Sequence, residues 1–300
     1  MQLVRKKDAS FVNTEFDSKS RYRVRQCPCG KSNKDGKFVP YIGYDDKGYC
    51  HSCGQTFLPD GNHKLSSNEY DAPVKEPSYI EYETFKENLR DHGSNNFVAF
   101  ISDLLGLDAA EKLVSTYNIG TSNHWYGATV FWQVDITGRI RDGKIMHYSP
   151  ITGKRSKDKY HAPNWIHSVL KLPDFNLRQC LFGEHLLATD PKKPVAIVES
   201  EKTAIIASAY LPEYIWLACG GLTEFNAEKC EVLKGKNVTL FPDLNGYEKW
   251  IEKAKELSHI ATFTVSDYPD KFGATSEEKE QGLDIADYLV KFPCPALSQK

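Results

Sequence analysis

The stretch that decides the fold is VAIVESEKTAIIAS, residues 195–208. Four of its first five residues are apolar, which marks a strand buried on both faces. Glu199, Glu201 and Lys202 follow, and small residues at helical spacing come next. In an open parallel sheet, ligands bind beyond the carboxyl ends of the strands, so a carboxylate ending such a strand stands in a crevice and not in the core. Downstream, NVTLFPDLNG (237–246) ends the same way and presents Asp243 and Asn245. QGLDIADYL (281–289) then places Asp284 and Asp287 at a helix start. Acidic groups gathered at one sheet edge repel each other unless a cation neutralises them, and hard oxygen ligands suit Mg²⁺ or Mn²⁺. The structural alternatives are an Asx turn for Asp243, a helix N-cap for Asp284 and a surface ion pair for Glu201 and Lys202.

Outward from this stretch, strand-like runs alternate with helical ones from residue 194 onward, the pattern of βαβ units and a parallel sheet. Upstream, residues 128–155 alternate apolar and polar around DITG and PITG turns, which predicts a β-meander. Phe97, Phe100, Ile101, Leu104 and Leu105 recur at helical spacing. Trp132, Trp165 and Trp216 read as core. Arg139, Arg141 and Lys144 on the meander, Lys154 and Arg155 after it, and Lys202 are the cations placed to meet phosphate, with solvated surface charge as the alternative. Strand alternation puts Arg139 and Arg141 on one face. In ACGG, Cys219–Gly221, the glycines permit close backbone approach or a tight turn.

Four of the eight cysteines crowd into CPCGKSNKDGKFVPYIGYDDKGYCHSCG. Cys27 and Cys29 form one knuckle and Cys50 and Cys53 the other, the arrangement of a zinc ribbon with a structural Zn²⁺. The first knuckle is C-x-C, a strained bite, and His51 offers an alternative ligand. Phe38, Tyr41, Tyr44 and Tyr49 are expected on an exposed face. With Arg21, Arg23, Arg25, Lys31, Lys34 and Lys37 nearby, that face suits single-stranded nucleic acid, a solvated basic surface being the alternative. The net charge of −2 gives no global basic field, so any such contact is local. No run is apolar enough to span a membrane and no signal peptide is read at the N-terminus, so a reducing, cytoplasmic setting is expected. No Walker loop or nucleophile elbow occurs.

Together, VAIVESEKTAIIAS, ACGG and FPDLNG resemble a Toprim domain, the fold shared by bacterial-type primases, topoisomerases and related nucleases. The resemblance implies that Glu199 and Asp243 hold a divalent metal, with Asn245 standing where that family has a second aspartate. GLDIADYL, with Asp284, is similar to the closing acidic segment of primase Toprim domains. Residues 130–187 resemble the basic half of a primase core, and an N-terminal ribbon completes the same order of domains. The chain also looks like primase-like proteins of Bacteroidetes and their mobile elements. The implied organisation is α/β with a small β module: a flexible arm (1–20), a zinc ribbon (21–57), a linker (58–80), an α+β basic subdomain (81–190), a Rossmann-like Toprim domain with a parallel sheet and flanking helices (191–292) and a tail (293–300). The implied function is a primase-like nucleotidyltransferase in mobile-element or phage DNA replication. Single-stranded DNA, nucleoside triphosphates and a separately encoded replicative helicase are its expected partners. A Toprim nuclease and a non-catalytic nucleic-acid-binding protein are the rival readings.

Overall fold

The computed structural model describes residues 15–19, 21–59, 76–268 and 273–295. The expected arm up to residue 14, residues 60–75 of the linker and residues 296–300 of the tail lie outside the described residues. The chain divides into two compact units, Met1–Val74 and Lys75–Lys300.

In the first unit, strands β1 (Phe38–Pro40), β2 (Gly48–Cys50) and β3 (Gln55–Phe57) pair antiparallel in that order. Val24, Cys27, Phe38 and Cys50 make its core, with Cys29, Cys53 and Phe57 packed against it. So few apolar residues cannot hold a chain alone, and a buried polar hub assists. The Asn33 amide donates to the carbonyls of Arg21, Val24 and Phe38 at 3.0, 2.9 and 3.1 Å, while its oxygen accepts from the Phe38 N–H at 2.6 Å. Phe38, Tyr41 and Tyr44, expected on an exposed face, are instead buried, and Tyr49 is half-buried. A unit this small draws on its aromatics for a core.

The described residues of the second unit form two sheets. In the first, β4 (Ile119–Ser122), β5 (Ala128–Val134), β6 (Ile140–Met146) and β7 (Asn164–Trp165) form the antiparallel meander. Helices α1 (Tyr82–Asn88), α2 (Asn96–Leu105) and α3 (Leu107–Thr116) precede it, and the short α4 (Ile166–Val169) follows. The apolar stripe of α2 buries Phe97, Ile101 and Leu105, and Asn95 caps the helix by accepting from the Phe97 and Val98 N–H groups. Every residue of β5 is buried, because Phe131 faces one core while Val130, Trp132 and Val134 face another. Trp165 departs from the core expectation: on the two-residue edge strand it is only half-buried.

The second sheet is parallel, in the order β11 (Thr262–Val265), β10 (Asn237–Leu240), β8 (Val195–Val198), β9 (Ile215–Ala218). Helices α5 (Glu201–Tyr210), α6 (Ala227–Cys230) and α7 (Tyr247–Glu256) connect its strands, and α8 (Ser276–Gln281) and α9 (Ile285–Leu289) follow. β8 is sandwiched: Ala196 and Val198 pack with the α2, α3, α5 and α9 side, while Val195 and Ile197 pack with Trp250, Phe225 and Leu257. That explains its unbroken apolar run. The chain leaves β8 for β9 on one side and returns to β10 on the other, so the strand order reverses between β8 and β10. At such a reversal the connections diverge and open a crevice at the carboxyl ends of the two strands. Residues 81–190 and 191–292 share one core, since Phe97, Phe131 and Phe182 lie in the same cluster as Val198 and Trp216. Residues 76–80, the end of the expected linker, run along this unit: Ser78 N–H donates to Asn176 O at 3.0 Å and Ile80 N–H to Ile140 O at 2.8 Å.

Candidate functional site

Glu199 and Asp243 leave the carboxyl ends of β8 and β10, on either side of the strand-order reversal. Glu199 is half-buried, and one carboxylate oxygen accepts from Trp250 Nε1–H at 3.3 Å; its backbone carbonyl accepts from Gly220 N–H at 2.8 Å, which ties the glycine turn to the strand end. Asp243 is partly buried, and its carboxylate has no hydrogen-bond partner among the described residues. Burial, joined by the negative charges of Glu199, Asp284 and Asp287, pushes its pKa up to about 8, and Lys202 pulls the other way. Four acidic groups therefore share one electrostatic neighbourhood with one ammonium. Lys202 Nζ stands 3.8 Å from Asp287 Oδ1.

Asp284 has a structural job. It is the N-cap of α9, accepting from Asp287 N–H at 3.2 Å in a reciprocal capping box, and its second oxygen accepts from Thr203 Oγ1–H. Thr203 in turn bonds Ser200, the N-cap of α5, at 2.7 Å, so the two helix starts beside the crevice are tied together. Burial raises the pKa of Asp284, against the favourable charge of Lys202. Asn245 is exposed in the left-handed region (φ 68°), and its side-chain amide donates to the Lys279 carbonyl in α8. Asparagine tolerates that backbone better than most residues, so the turn itself accounts for it.

The donor chemistry fits one hard divalent cation held by Glu199 and Asp243 with water completing the shell. The carboxylates are not drawn into a tight set, however. Among the described residues, the metal-ready group is Cys27, Cys29, Cys50 and Cys53, whose sulfurs all lie within 4.8 Å of one another. Zn–S bonds of 2.3 Å in a tetrahedron separate sulfurs by about 3.8 Å, so this set fits a structural zinc. The C-x-C knuckle closes through Gly30 N–H to Cys27 O and Cys27 N–H to Lys31 O, each 2.8 Å, and the second through Gly54 N–H to Cys50 O at 2.8 Å. His51 is exposed, its ring edge-on to Tyr49 at 4.8 Å and outside the sulfur cluster.

The cations divide sharply. Arg139 and Arg141 do share a face, both over the Tyr79 ring at 4.6 and 5.3 Å, but both serve the buried Asp135: Arg141 Nε donates to it at 2.8 Å and Arg139 Nε lies 3.4 Å away. Against burial, hydrogen bonds from the Thr137 hydroxyl and the Arg139 N–H, joined by Arg141, hold the Asp135 carboxyl below its usual range. Lys144 Nζ donates to both Glu201 oxygens at 2.9 and 3.1 Å. Glu201 is buried at 2% exposure, which replaces the expected surface pair with Lys202. Lys154 and Arg155 are exposed. The roles of Trp250, Thr203 and the Lys144–Glu201 pair carry no signal in the sequence, because each partner is remote along the chain.

A family described as domain of unknown function (DUF6371) matches residues 95–244, half of the chain. The chain belongs to that family. Its matched span runs from the N-cap of α2 to the loop after β10, so it contains the meander, Glu199 and Asp243. No curated protein matches. Among solved structures, the primase fragment of the bacteriophage T7 primase-helicase protein is similar at 16% identity and a TM-score of 0.40, over 86% of this chain and 98% of that one. The Aquifex aeolicus primase, with zinc-binding and RNA polymerase domains, is similar at 15% identity and a TM-score of 0.33, over 70% of this chain and 54% of that one. Likeness at these scores fixes no activity.

Proposed function

We propose that the chain is a primase-like nucleotidyltransferase acting on single-stranded DNA, with a Toprim-type site in which Glu199 and Asp243 hold one Mg²⁺ or Mn²⁺. The supporting observation is the unpartnered Asp243 carboxylate, raised to about 8 beside three other acids at the strand-order reversal. A protein tolerates such crowding where a cation relieves it. A bound ion would polarise the α-phosphate of a nucleoside triphosphate and ease departure of pyrophosphate. The chain's own residues supply the rest. Trp250 orients Glu199, the Thr203–Asp284 contact fixes the two helix starts, and Lys202 offers positive charge at the rim. The biological setting that suits this reading is mobile-element or phage replication with a helicase encoded elsewhere.

Primer synthesis on single-stranded DNA with nucleotides and Mg²⁺ or Mn²⁺ tests it. Glu199→Gln is expected to reduce product at least about a hundredfold, with DNA affinity kept. Wild-type synthesis by that variant rejects the assignment. DNA shortened without nucleotides would instead mark a metal-dependent nuclease. Asn245 turned to Lys279 and Asp284 engaged as a cap favour a second reading, a nucleic-acid-binding protein without metal-dependent product.

A further inference from the structure

Two loops of the second unit expose aromatic rings beside unpaired cations. Tyr126, in the β4–β5 turn, is 87% exposed, and Tyr160, in the segment between β6 and β7, is 71% exposed. The two loops are stapled together from beneath. The His147 ring stacks on His161 with centroids 4.1 Å apart and 18° between planes, and bonds Ser156 Oγ at 2.7 Å. Trp125 meets His161 edge-on at 5.4 Å, and Asp158 holds His161 Nδ1 at 2.8 Å. Asn96 joins in, donating to the Tyr148 carbonyl at 2.9 Å and lying 3.3 Å from His147 Nε2. A mount this braced could have kept its outer rings covered, yet it holds them in water.

The adjoining run KRSKDKYH, 154–161, carries Lys154, Arg155, Lys157 and Lys159 against one acid, Asp158, which is already committed to His161. None of these four cations pairs with a carboxylate among the described residues, and Lys159 Nζ stands 4.9 Å over the Tyr160 ring. This contrasts with Arg139, Arg141 and Lys144, all spent on Asp135 or Glu201. Aromatic faces flanked by free lysines suit bases and phosphates, whereas protein interfaces deplete lysine.

We propose that Tyr126 and Tyr160 form a base-stacking platform for single-stranded nucleic acid, with Lys154, Arg155, Lys157 and Lys159 carrying its phosphates. This rests on the nucleic-acid reading above, keeps Lys154 and Arg155 as its phosphate contacts and leaves out Arg139, Arg141 and Lys144. The test is fluorescence anisotropy of the full chain with a labelled oligothymidylate of about twenty nucleotides across a salt series. Tyr126→Ala/Tyr160→Ala should lose about tenfold or more in affinity with the salt slope kept, and Tyr126→Phe/Tyr160→Phe should bind as wild type, because a ring remains. Lys157→Ala/Lys159→Ala should lower the salt slope by about one to two. Both sites are exposed, so unchanged melting of each variant confirms folding. If wild type and the alanine pair bind equally well, the platform is overturned while the nucleic-acid reading stands. If wild type does not bind even at low salt, both fall. Normal DNA binding by the alanine pair, with loss of self-association in sedimentation, overturns the platform and assigns the rings to protein contact.

Discussion

Asp243 concentrates the chemistry of the crevice in one carboxyl group. Its ordinary pKa of 3.8 rises to about 8 through burial and the charges of Glu199, Asp284 and Asp287. The folded chain thus keeps a proton that the unfolded chain releases above the ordinary value. The resulting stability is complete below that value and is lost as pH rises toward the folded one. In chelator, the urea midpoint should fall between about pH 5 and pH 8.5 in wild type and much less in Asp243→Asn. Mn²⁺ should restore the wild type alone at the higher pH, since the variant lacks the ligand. Identical pH profiles for the two proteins would contradict the raised pKa. The sequence placed Asp243 correctly at a strand end, because strand ends are legible from apolar runs. It could not say that the carboxylate lacks a donor, since that depends on what α7, α9 and the glycine turn leave uncovered.

At the scale of elements, an ion pair runs from the meander to the parallel sheet's first helix beside their shared apolar core: Lys144 of β6 to Glu201 in the opening turn of α5. The glutamate is buried, and its place at a helix N-terminus favours its charge. Removing the ammonium leaves the Glu201 carboxylate buried and unpaired, so Lys144→Met should cost about 3 kcal/mol in denaturant unfolding. Lys144→Met with Glu201→Met should recover most of that loss, since an apolar pair strands no charge. If the single variant is neutral, the pair contributes nothing. Local pattern predicted α2, β5, β8 and α5: α2 buries one stripe at helical spacing, whereas β5 and β8 are buried on both faces. Periodicity could not reveal this pair, because its members lie 57 residues apart and each looks like an ordinary surface charge.

For the whole molecule, the two units rest on different foundations. The second has extensive cores on both sides of its parallel sheet, while the first has few buried apolar residues and a sulfur cluster. Metal removal should therefore unfold the first unit and leave the transition of the second in place. Thiol titration reads this directly. Chelation should expose Cys27, Cys29, Cys50 and Cys53, while Cys180, Cys219, Cys230 and Cys294, all buried, stay protected until the second unit melts. Simultaneous reaction of all eight would contradict independent units. The residue chain alone determined the order of strands and helices, the cysteine knuckles and the two carboxylates at strand tips, since all of these follow from local spacing and the burial it implies. Only the tertiary structure decided which cations are consumed by buried acids, which aromatics are core and which face water, and that β8 and β10 are neighbours. Those outcomes depend on contacts between distant segments, and a single side chain carries no mark of the partner that folding will bring to it.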